Sequence, residues 1–344
     1  MARNKGNKHD ETKRVQHSNV DRISKLPDSV ILHILALLPT VEVIRTSLIS
    51  KRWRHLWNSV PALEFCDVGV EEQKFYNFVN KCLEHRMIGK RQVNGLGINR
   101  FKLEMHGYGG SSVHVDRWLS FAVQQHLEEL DLHIQPKKIV SPLSFYCIPS
   151  LTVLKLGRLR LDDEVFHNLI MGCPSLEKLF LHNCIVFCDL KVSNFNLKSL
   201  ELISTGCFGS ILVEAVNLQS IVLDSCGFCQ LNIVSCKKAR NLTLSTFVKI
   251  PNVEDVISEL PILASLTLVD FDIEFIENQY LKDLVLKRTI IEDDAEEWNF
   301  LMEITVDTPN LVSFHFEDVN CTFKVFLNAP NLEEAIIKLD YDGV

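Results

Sequence analysis

Hydrophobic and polar positions in the larger, C-terminal part of the chain follow one template that recurs along its length. The template LxxLxLxx occurs ten times, and the starts of successive copies lie 18 to 30 residues apart. Its alternating leucines predict a short strand in each copy, with leucines on one face and the intervening residue on the other. A period in this range predicts a solenoid whose strands stack into one parallel sheet. The copies begin at residues 127, 151, 176, 197, 218, 239, 263, 281, 311 and 332.

A further position recurs eight residues after the start of most copies, just beyond the predicted strand. Its apolar and cysteine residues predict a second buried row in the core of the solenoid. The pair Cys226 and Cys229, near Cys236, lacks the second pair of ligands that a zinc site needs, so the eleven cysteines are expected to be reduced thiols. No metal and no cofactor is predicted. The row consists of Leu159, Cys184, Thr205, Cys226, Phe247, Phe271, Thr289 and Val319.

Residues 24 to 57 space their apolar positions as helices do and are predicted to form three short helices. Ser24 can cap the first helix and Thr40 the second, and Pro39 separates the two. The first helix carries two apolar stripes, so one can pack in the domain's own core while the other needs a protein partner. The stripes are Ile31, Ile34, Leu35 and Leu38 on one face and Leu26, Val30 and Leu37 on another; Val41, Ile44 and Leu48 form a stripe in the second helix.

The third helix, "SKRWRHLW" at residues 50–57, combines basic residues with two tryptophans that share one helical face. Tryptophans among basic residues can form a stacking platform for nucleic acid, or they can form the core of a helical domain that needs no partner. Net charge argues against nucleic acid: it is +3 over residues 1–20, +2 over residues 21–64 and −13 over the remainder. A nucleic-acid-binding protein is expected to have a basic surface on its largest domain. We therefore favour a helix that contacts protein.

The segment from Leu26 to Trp57 resembles an F-box, the three-helix motif that binds a Skp-type adaptor. The resemblance rests on the Leu26-Pro27-Asp28 opening, the Leu38-Pro39 break, and the Ser50-Lys51-Arg52-Trp53 run that ends in Leu56-Trp57. Together with the repeats, the chain is similar to plant-type F-box/leucine-rich-repeat proteins of the FBD-like class. The resemblance implies an α/β fold in which an N-terminal three-helix F-box is followed by a curved leucine-rich-repeat solenoid with a parallel sheet on its concave face.

The domain organisation follows from these patterns. Within the part that precedes the repeats, helices are predicted around residues 71–86 and 114–125, with a strand near residues 100–106, and another helix is predicted from residue 162. The predicted parts are a polar, disordered tail at 1–19, the F-box at 20–65, a segment at 66–126 that leads into the solenoid, and leucine-rich repeats at 127–344.

The resemblance also implies a function, that of the substrate-recognition subunit of an SCF-type (Skp-cullin-F-box) ubiquitin ligase. The F-box would bind a Skp-type adaptor and, through it, a cullin-RING ligase, and the repeats would bind an unknown protein substrate. The alternative is an interaction scaffold that acts outside a ubiquitin ligase. No catalytic residue is predicted, because the histidines have no grouping typical of an active site. Carried over by resemblance, the adaptor-binding residues are Leu26, Pro27, Ile31, Leu35, Leu38, Pro39, Ser50, Lys51, Trp53 and Leu56.

The substrate-binding face is predicted from the strands. In each copy, the residue between the last two leucines points away from the core. Several of these residues are apolar, which favours a protein-binding surface, although single exposed apolar residues are also tolerated in proteins that bind nothing there. The candidate substrate-binding residues are Lys155, Phe180, Glu201, Val222, Val285 and His315.

Hydropathy adds an expectation about location. No stretch approaches 18 uninterrupted apolar residues, so no membrane span is predicted. The first 20 residues lack the apolar run of a secretory signal. We therefore expect a protein of the nucleus, the cytoplasm or both, with neither nucleic acid nor a membrane as a partner.

Overall fold

The computed structural model of this chain describes residues 25–48, 51–92, 97–107, 112–134, 147–186, 189–207, 209–227, 230–245, 253–270, 273–289, 302–318 and 323–339. The predicted tail and the predicted cap Ser24 lie outside these residues. Seven helices are described in this part of the chain, with a short 3-10 turn (Trp57–Ser59) after the third. They are α1 (Asp28–Leu35), α2 (Thr40–Thr46), α3 (Lys51–Leu56), α4 (Glu72–Gln92), α5 (Ser112–Val123), α6 (Asp163–Met171) and α7 (Val253–Ser258).

The strands are short, and most are five or six residues long. In chain order they are β1 (Ala62–Cys66), β2 (Arg100–Met105), β3 (Glu129–Ile134), β4 (Val153–Gly157), β5 (Arg160–Leu161), β6 (Lys178–His182), β7 (Ile185–Val186), β8 (Leu190–Ser193), β9 (Ser199–Ile203), β10 (Gly206–Cys207), β11 (Ser210–Glu214), β12 (Ser220–Asp224), β13 (Gln230–Asn232), β14 (Asn241–Ser245), β15 (Ser265–Val269), β16 (Phe275–Glu277), β17 (Asp283–Arg288), β18 (Met302–Asp307), β19 (Ser313–Asp318), β20 (Phe323–Asn328) and β21 (Glu334–Leu339).

Twelve strands form one parallel sheet, in the order β1-β2-β3-β4-β6-β9-β12-β14-β15-β17-β19-β21. Three smaller three-stranded sheets, β5-β7-β10, β8-β11-β13 and β16-β18-β20, run beside it. Each of the ten copies of the leucine template contains a strand of the large sheet, so the predicted solenoid is confirmed. The sheet begins earlier than the first copy, however, because β1 and β2 precede β3 within it. The segment predicted to lead into the solenoid is thus already part of its sheet, and its helices are α4 and α5.

The leucines of the template fill the core, and the recurring row beyond each strand packs beneath them. Leu159, Cys184, Thr205 and Cys226 are all buried. The Cys184 thiol donates to the Leu156 carbonyl, and the hydroxyl of Thr205 donates to the carbonyl of Leu181 in the same way. The thiols and the hydroxyl in this row therefore satisfy carbonyls of the preceding strand. Thr289 differs, since it is exposed; Phe247, Phe271 and Val319 lie outside the described residues.

A left-handed residue follows five of the strands of the large sheet and turns the chain out of it. These residues have φ between 49° and 62°. The backbone N–H of each donates to a carbonyl near the end of the next strand, as Ser204 does to Asp224 at 2.8 Å. A residue other than glycine in this region of φ is uncommon, so the repeat geometry imposes it. The five are Arg158, Asn183, Ser204, Ser225 and Asp270.

Polar contacts attach the three-helix domain to the sheet. The Arg100 guanidinium on β2 donates to the carbonyl of Ala36, just after α1, at 2.5 Å. The backbone N–H of Glu64 on β1 donates to the Thr40 hydroxyl at 2.7 Å. Thr40 was predicted to cap α2, and this is wrong: no side chain caps α2, because this hydroxyl is buried against β1 instead. The helices therefore have a fixed position on the first strands.

Arg86 of α4 makes the third attachment. Its side chain is 6% exposed, and its guanidinium donates to the carbonyls of Asn58 and Val60, in the segment that joins α3 to β1. The ring of Trp57 lies 6.0 Å from the guanidinium carbon. Burial lowers the pKa of Arg86 to about 10, which leaves it charged at neutral pH.

Candidate protein-binding surfaces

The small helical domain has a core of its own. Ile31 and Leu35 are fully buried and Trp53 is 7% exposed, and all three belong to one apolar cluster with Trp57. The first three were among the predicted adaptor-binding residues. Their side chains lie inside the domain in this structure, and contact of these three residues with an adaptor stays a prediction. The physical reason for their burial is that this stripe of α1 packs against α3 and the turn after it.

The other predicted adaptor-binding residues lie at or near the surface. Pro27, Pro39 and Lys51 are exposed, while Leu26, Leu38 and Leu56 are half-buried at the edge of the core. Ser50 lies outside the described residues. Contact of these residues with an adaptor stays a prediction.

A second set of apolar side chains remains uncovered on α1, on α2 and just beyond each. Leu37 is 69% exposed and Leu48 is 80% exposed. Val30, Ile34 and Leu37 are spaced i, i+4, i+7, which places them on one side of α1. The predicted adaptor set omitted all of these residues, although the second apolar stripe indicated some of them. This exposed F-box face consists of Val30, Ile34, Leu37, Val41 and Leu48.

Arg52 fixes the start of α1 against α3. Its guanidinium donates to the Asp28 carboxylate, with Nε 2.8 Å from Oδ1, and to the Leu26 carbonyl at 2.6 Å. The Leu26-Pro27-Asp28 opening is therefore held in place by the basic helix that follows it. The basic residue that suggested nucleic-acid binding in the sequence is used here inside the domain.

The central outward residues of the large sheet form a continuous column. Strand register pairs Lys155 with Phe180, Phe180 with Glu201, and Glu201 with Val222. Val285 and His315 are likewise directly paired on β17 and β19. All six candidate substrate-binding residues are half-buried on this column, as predicted. Two threonines, on β14 and β15, separate the first four residues from the last two.

The N-terminal end of this face is a network of paired charges. The ammonium of Lys155 lies 2.9 Å from the Glu129 carboxylate and 5.7 Å from the centroid of the Phe180 ring. Lys102 lies 3.3 Å from Glu64. Burial lowers the pKa of Lys102, but the charge of Glu64 and its hydrogen bond, with Asp131 nearby, outweigh burial and raise this pKa overall. The charges here are largely neutralised within the protein.

Two histidines enclose a glycine beside that column. His133, Gly157 and His182 are paired across β3, β4 and β6. The two rings have centroids 6.4 Å apart, and His182 Nε2 lies 2.8 Å from the Glu201 carboxylate. A β-carbon on Gly157 would lie 2.1 Å from His133 Nδ1, so the ring occupies the space above this glycine. The three residues hold the same position in successive copies of the template, but none of them was among the site residues predicted from the sequence.

A smaller charged group lies at the other end of the sheet. The Glu317 carboxylate lies 3.3 Å from the Lys287 ammonium and 3.5 Å from His315 Nε2. The hydrogen bond from Lys287 lowers the pKa of Glu317. Val285, on the strand of Lys287, is therefore bordered by charges on the C-terminal side.

Two further findings concern the described residues alone. Among them, no three His, Cys, Asp or Glu side chains are grouped as a metal ion requires. Cys184 and Cys226 are used in the core, where burial raises the pKa of Cys184 to about 11; Cys188 and Cys229 lie outside the described residues. No helix in the described part of the chain is long and apolar enough to cross a membrane.

Comparison with known proteins agrees with this architecture. Residues 23–64 match the F-box domain family. Residues 138–244 match the leucine-rich repeats of the FBD-associated F-box protein At5g56370. The first match covers α1 to α3 and most of β1, and the second covers the central turns of the solenoid.

Related proteins of Arabidopsis thaliana have the same combination in their names. The F-box/FBD/LRR-repeat protein At3g26920 is 33% identical over 52% of this chain and 45% of its own length. The putative F-box/LRR-repeat protein At3g18150 is 32% identical over 53% of this chain and 42% of its own length. The chain thus spans less than half the length of these two relatives. The F-box/LRR-repeat protein At3g26922 is 28% identical over 78% of this chain and 96% of its own length. The chain therefore contains an F-box domain followed by leucine-rich repeats, the combination found in these relatives.

Proposed function

We propose that this chain is the substrate-recognition subunit of an SCF-type ubiquitin ligase. The observation that carries the proposal is the exposed F-box face, because five apolar side chains remain uncovered on a domain that matches the F-box family. An uncovered apolar surface of this kind marks a protein-binding site. Its occupant is a Skp-type adaptor, through which a cullin-RING ligase is attached.

The chain itself performs no chemistry in this role. It raises the effective concentration of a substrate lysine near the ubiquitin-loaded enzyme by holding both in one complex. Such positioning requires a stiff connection between the two binding surfaces. The contacts of Arg86, Arg100 and Thr40 between the helices and the first strands support a connection of this kind.

The substrate binds on the central column of the large sheet. Phe180 and Val222 give this column partly exposed apolar surface within a few strands of paired charges. Apolar anchors inside a polar rim are the usual composition of a protein interface. The column therefore suits a folded or extended protein segment better than a small molecule.

Capture of a Skp-type adaptor tests the proposed role of the exposed F-box face. In the double variant Leu37→Asp/Leu48→Asp, two apolar side chains become charged, and burying each leucine contributes about 1.5–3 kcal/mol to a complex. We expect adaptor affinity to fall by more than about 100-fold. The measurement is co-purification of a Skp-type adaptor and a cullin with the tagged chain.

A matched control makes the same change on the solenoid. Phe195 and Val216 are also exposed, at 71% and 43%, and Phe195→Asp/Val216→Asp should leave adaptor capture unchanged. Equal capture by both double variants would refute the proposed adaptor surface. Failure of the unmodified chain to capture any adaptor would favour the alternative of a scaffold outside a ubiquitin ligase.

A further inference from the structure

A groove lies between the end of the three-helix domain and α4. It has a volume of about 450 Å³. Its apolar walls are Ile44, Trp57 and Phe78. The ring of Trp57 is packed edge-on against that of His85, with centroids 6.2 Å apart. A groove of this size accommodates several side chains of a partner.

Basic side chains surround this groove, and no carboxylate lines it. The polar lining includes Arg54, His55, Lys81 and His85, all four of which are exposed. None of the four forms an ion pair with any residue in the part of the chain that the structure describes.

The basic lining contrasts with the paired charges on the large sheet. Many lysines elsewhere are paired, for example Lys155 with Glu129 at 2.9 Å and Lys198 with Glu177 at 2.6 Å. The chain as a whole has a net charge of −8. The two cations Arg54 and Lys81, unpaired among the described residues of an acidic protein, attract a negatively charged partner by charge complementarity.

One residue that lines the groove, Asn58, has an unsatisfied hydrogen-bond acceptor. The side-chain oxygen of Asn58, which lines the groove, is buried and accepts no hydrogen bond from any described residue. An acceptor in this position costs free energy unless a donor reaches it. A peptide backbone N–H is a donor of the right kind once the amide group rotates toward the groove.

We propose that this groove binds an acidic peptide segment of a partner protein, one with an aromatic or aliphatic side chain beside its carboxylates. The apolar side chain packs against Trp57 and Phe78, and the carboxylates pair with Arg54 and Lys81. The groove is lined by α3, the turn after it, α4 and Ile44 of α2, and it shares no residue with the exposed F-box face on α1 and α2. The proposal is therefore independent of adaptor binding.

Peptide binding by the full chain, purified with its adaptor, tests the proposal. The probe is the fluorescein-labelled peptide EEFEELEE, and its affinity is measured by fluorescence anisotropy at low and at moderate salt. We expect saturable binding that weakens as salt increases, because the contacts include exposed charges. The peptide EESEESEE, which keeps the charges and loses the apolar side chains, should bind about tenfold more weakly, as expected for one buried apolar anchor.

Charge reversal identifies the groove. In Arg54→Glu/Lys81→Glu, affinity for EEFEELEE should fall by at least about tenfold. The matched control Arg240→Glu/Lys282→Glu reverses one arginine and one lysine that are exposed on the solenoid, and it should bind as the unmodified chain does. The milder variant Arg54→Gln/Lys81→Gln should give an intermediate affinity, which separates loss of binding from loss of folding.

Several results would overturn the proposal. Equal affinity of the groove variant and the control variant would show that the peptide binds elsewhere. Tighter binding of a short single-stranded oligonucleotide than of the peptide, sensitive to the same variant, would assign the groove to phosphate groups. Loss of adaptor capture in the groove variant would make the groove part of the adaptor interface, whereas retained capture with lost peptide binding supports a separate site.

Discussion

Gly157→Ala tests how closely the sheet surface is packed around His133. A β-carbon at residue 157 would lie 2.1 Å from His133 Nδ1 and 2.6 Å from its Cε1, which no real contact allows. The strand backbone cannot move easily, since β4 is hydrogen-bonded between β3 and β6. The imidazole must therefore rotate away, and it then leaves Asp131, whose Oδ1 lies 3.1 Å from His133 Nε2.

Two opposing effects determine the size of the change. Forcing an extra methyl into a packed position costs about 1–3 kcal/mol. Replacing glycine by alanine in a strand stabilises the folded state by about 0.5–1 kcal/mol, because the unfolded chain then has less conformational freedom to lose. The side chain of His133 is partly exposed, so the free-energy cost of moving it should lie at the lower end of the range of about 1–3 kcal/mol. The two effects nearly cancel, so we expect Gly157→Ala to destabilise the protein by about 0.5 kcal/mol or less.

A double-mutant cycle with His133→Ala isolates the free-energy cost of the steric overlap between the His133 ring and a β-carbon at residue 157. When the ring is absent, Gly157→Ala should be neutral or stabilising, so the two changes should be coupled by about 1–2 kcal/mol. The assay is denaturation in urea followed by circular dichroism, with the slope compared between variants, since repeat proteins can lose cooperativity. Additive effects within about 0.5 kcal/mol would refute the inferred contact between the ring and residue 157.

Further predictions concern the attachment of the F-box to the sheet, the turns after the strands and the reactivity of the thiols. Arg86→Met should destabilise the protein by about 2–3 kcal/mol, because two buried carbonyls lose charged donors, and a loss below about 1 kcal/mol in urea denaturation would contradict this. Ser204→Val should cost about 2 kcal/mol in the same assay, because φ is 49° and a β-branched residue is strained there; the same change at Ser220, inside β12, is the control. Burial raises the pKa of Cys184 to about 11, so the folded chain retains this proton where the unfolded chain loses it, and stability should fall as pH rises from about 9 to about 11. Mass spectrometry after alkylation at pH 8 should show early modification at the exposed Cys66 and Cys147, and early modification of the buried thiols would contradict their raised pKa; those thiols are Cys82, Cys173, Cys184 and Cys236.

The solenoid could be predicted from sequence because its signal is local and repeated. Each strand needs only alternating leucines, and the copies at residues 127 to 332 all became strands of one sheet. The position of Lys155, Phe180 and Glu201 on one column follows from the same period. The period does not predict how side chains of neighbouring turns pack against each other. The position of the His133 ring above Gly157 could therefore not be predicted.

The F-box was predicted less completely for a different reason. Its first helix has two apolar stripes of similar composition, and composition does not say which stripe packs inside. Tertiary contacts determine which residues are buried. Ile31 and Leu35 pack in one cluster with Trp53, and Val30 and Leu37 therefore remain exposed. The resemblance carried both kinds of residue over together, so only the structure separates core from surface.

The attachment of the helices to the sheet has a consequence for how the two surfaces act together. The F-box match ends at residue 64, inside β1, so the last residues of the F-box domain are the first residues of the sheet. A shift of the exposed F-box face relative to the central column would break the hydrogen bonds of Arg100 and Thr40, which join the helices to β2 and β1. Each such bond contributes about 0.5–1.5 kcal/mol, and the charged donors contribute more. The geometry between the exposed F-box face and the central column is therefore set within the chain by packing at β1 and β2.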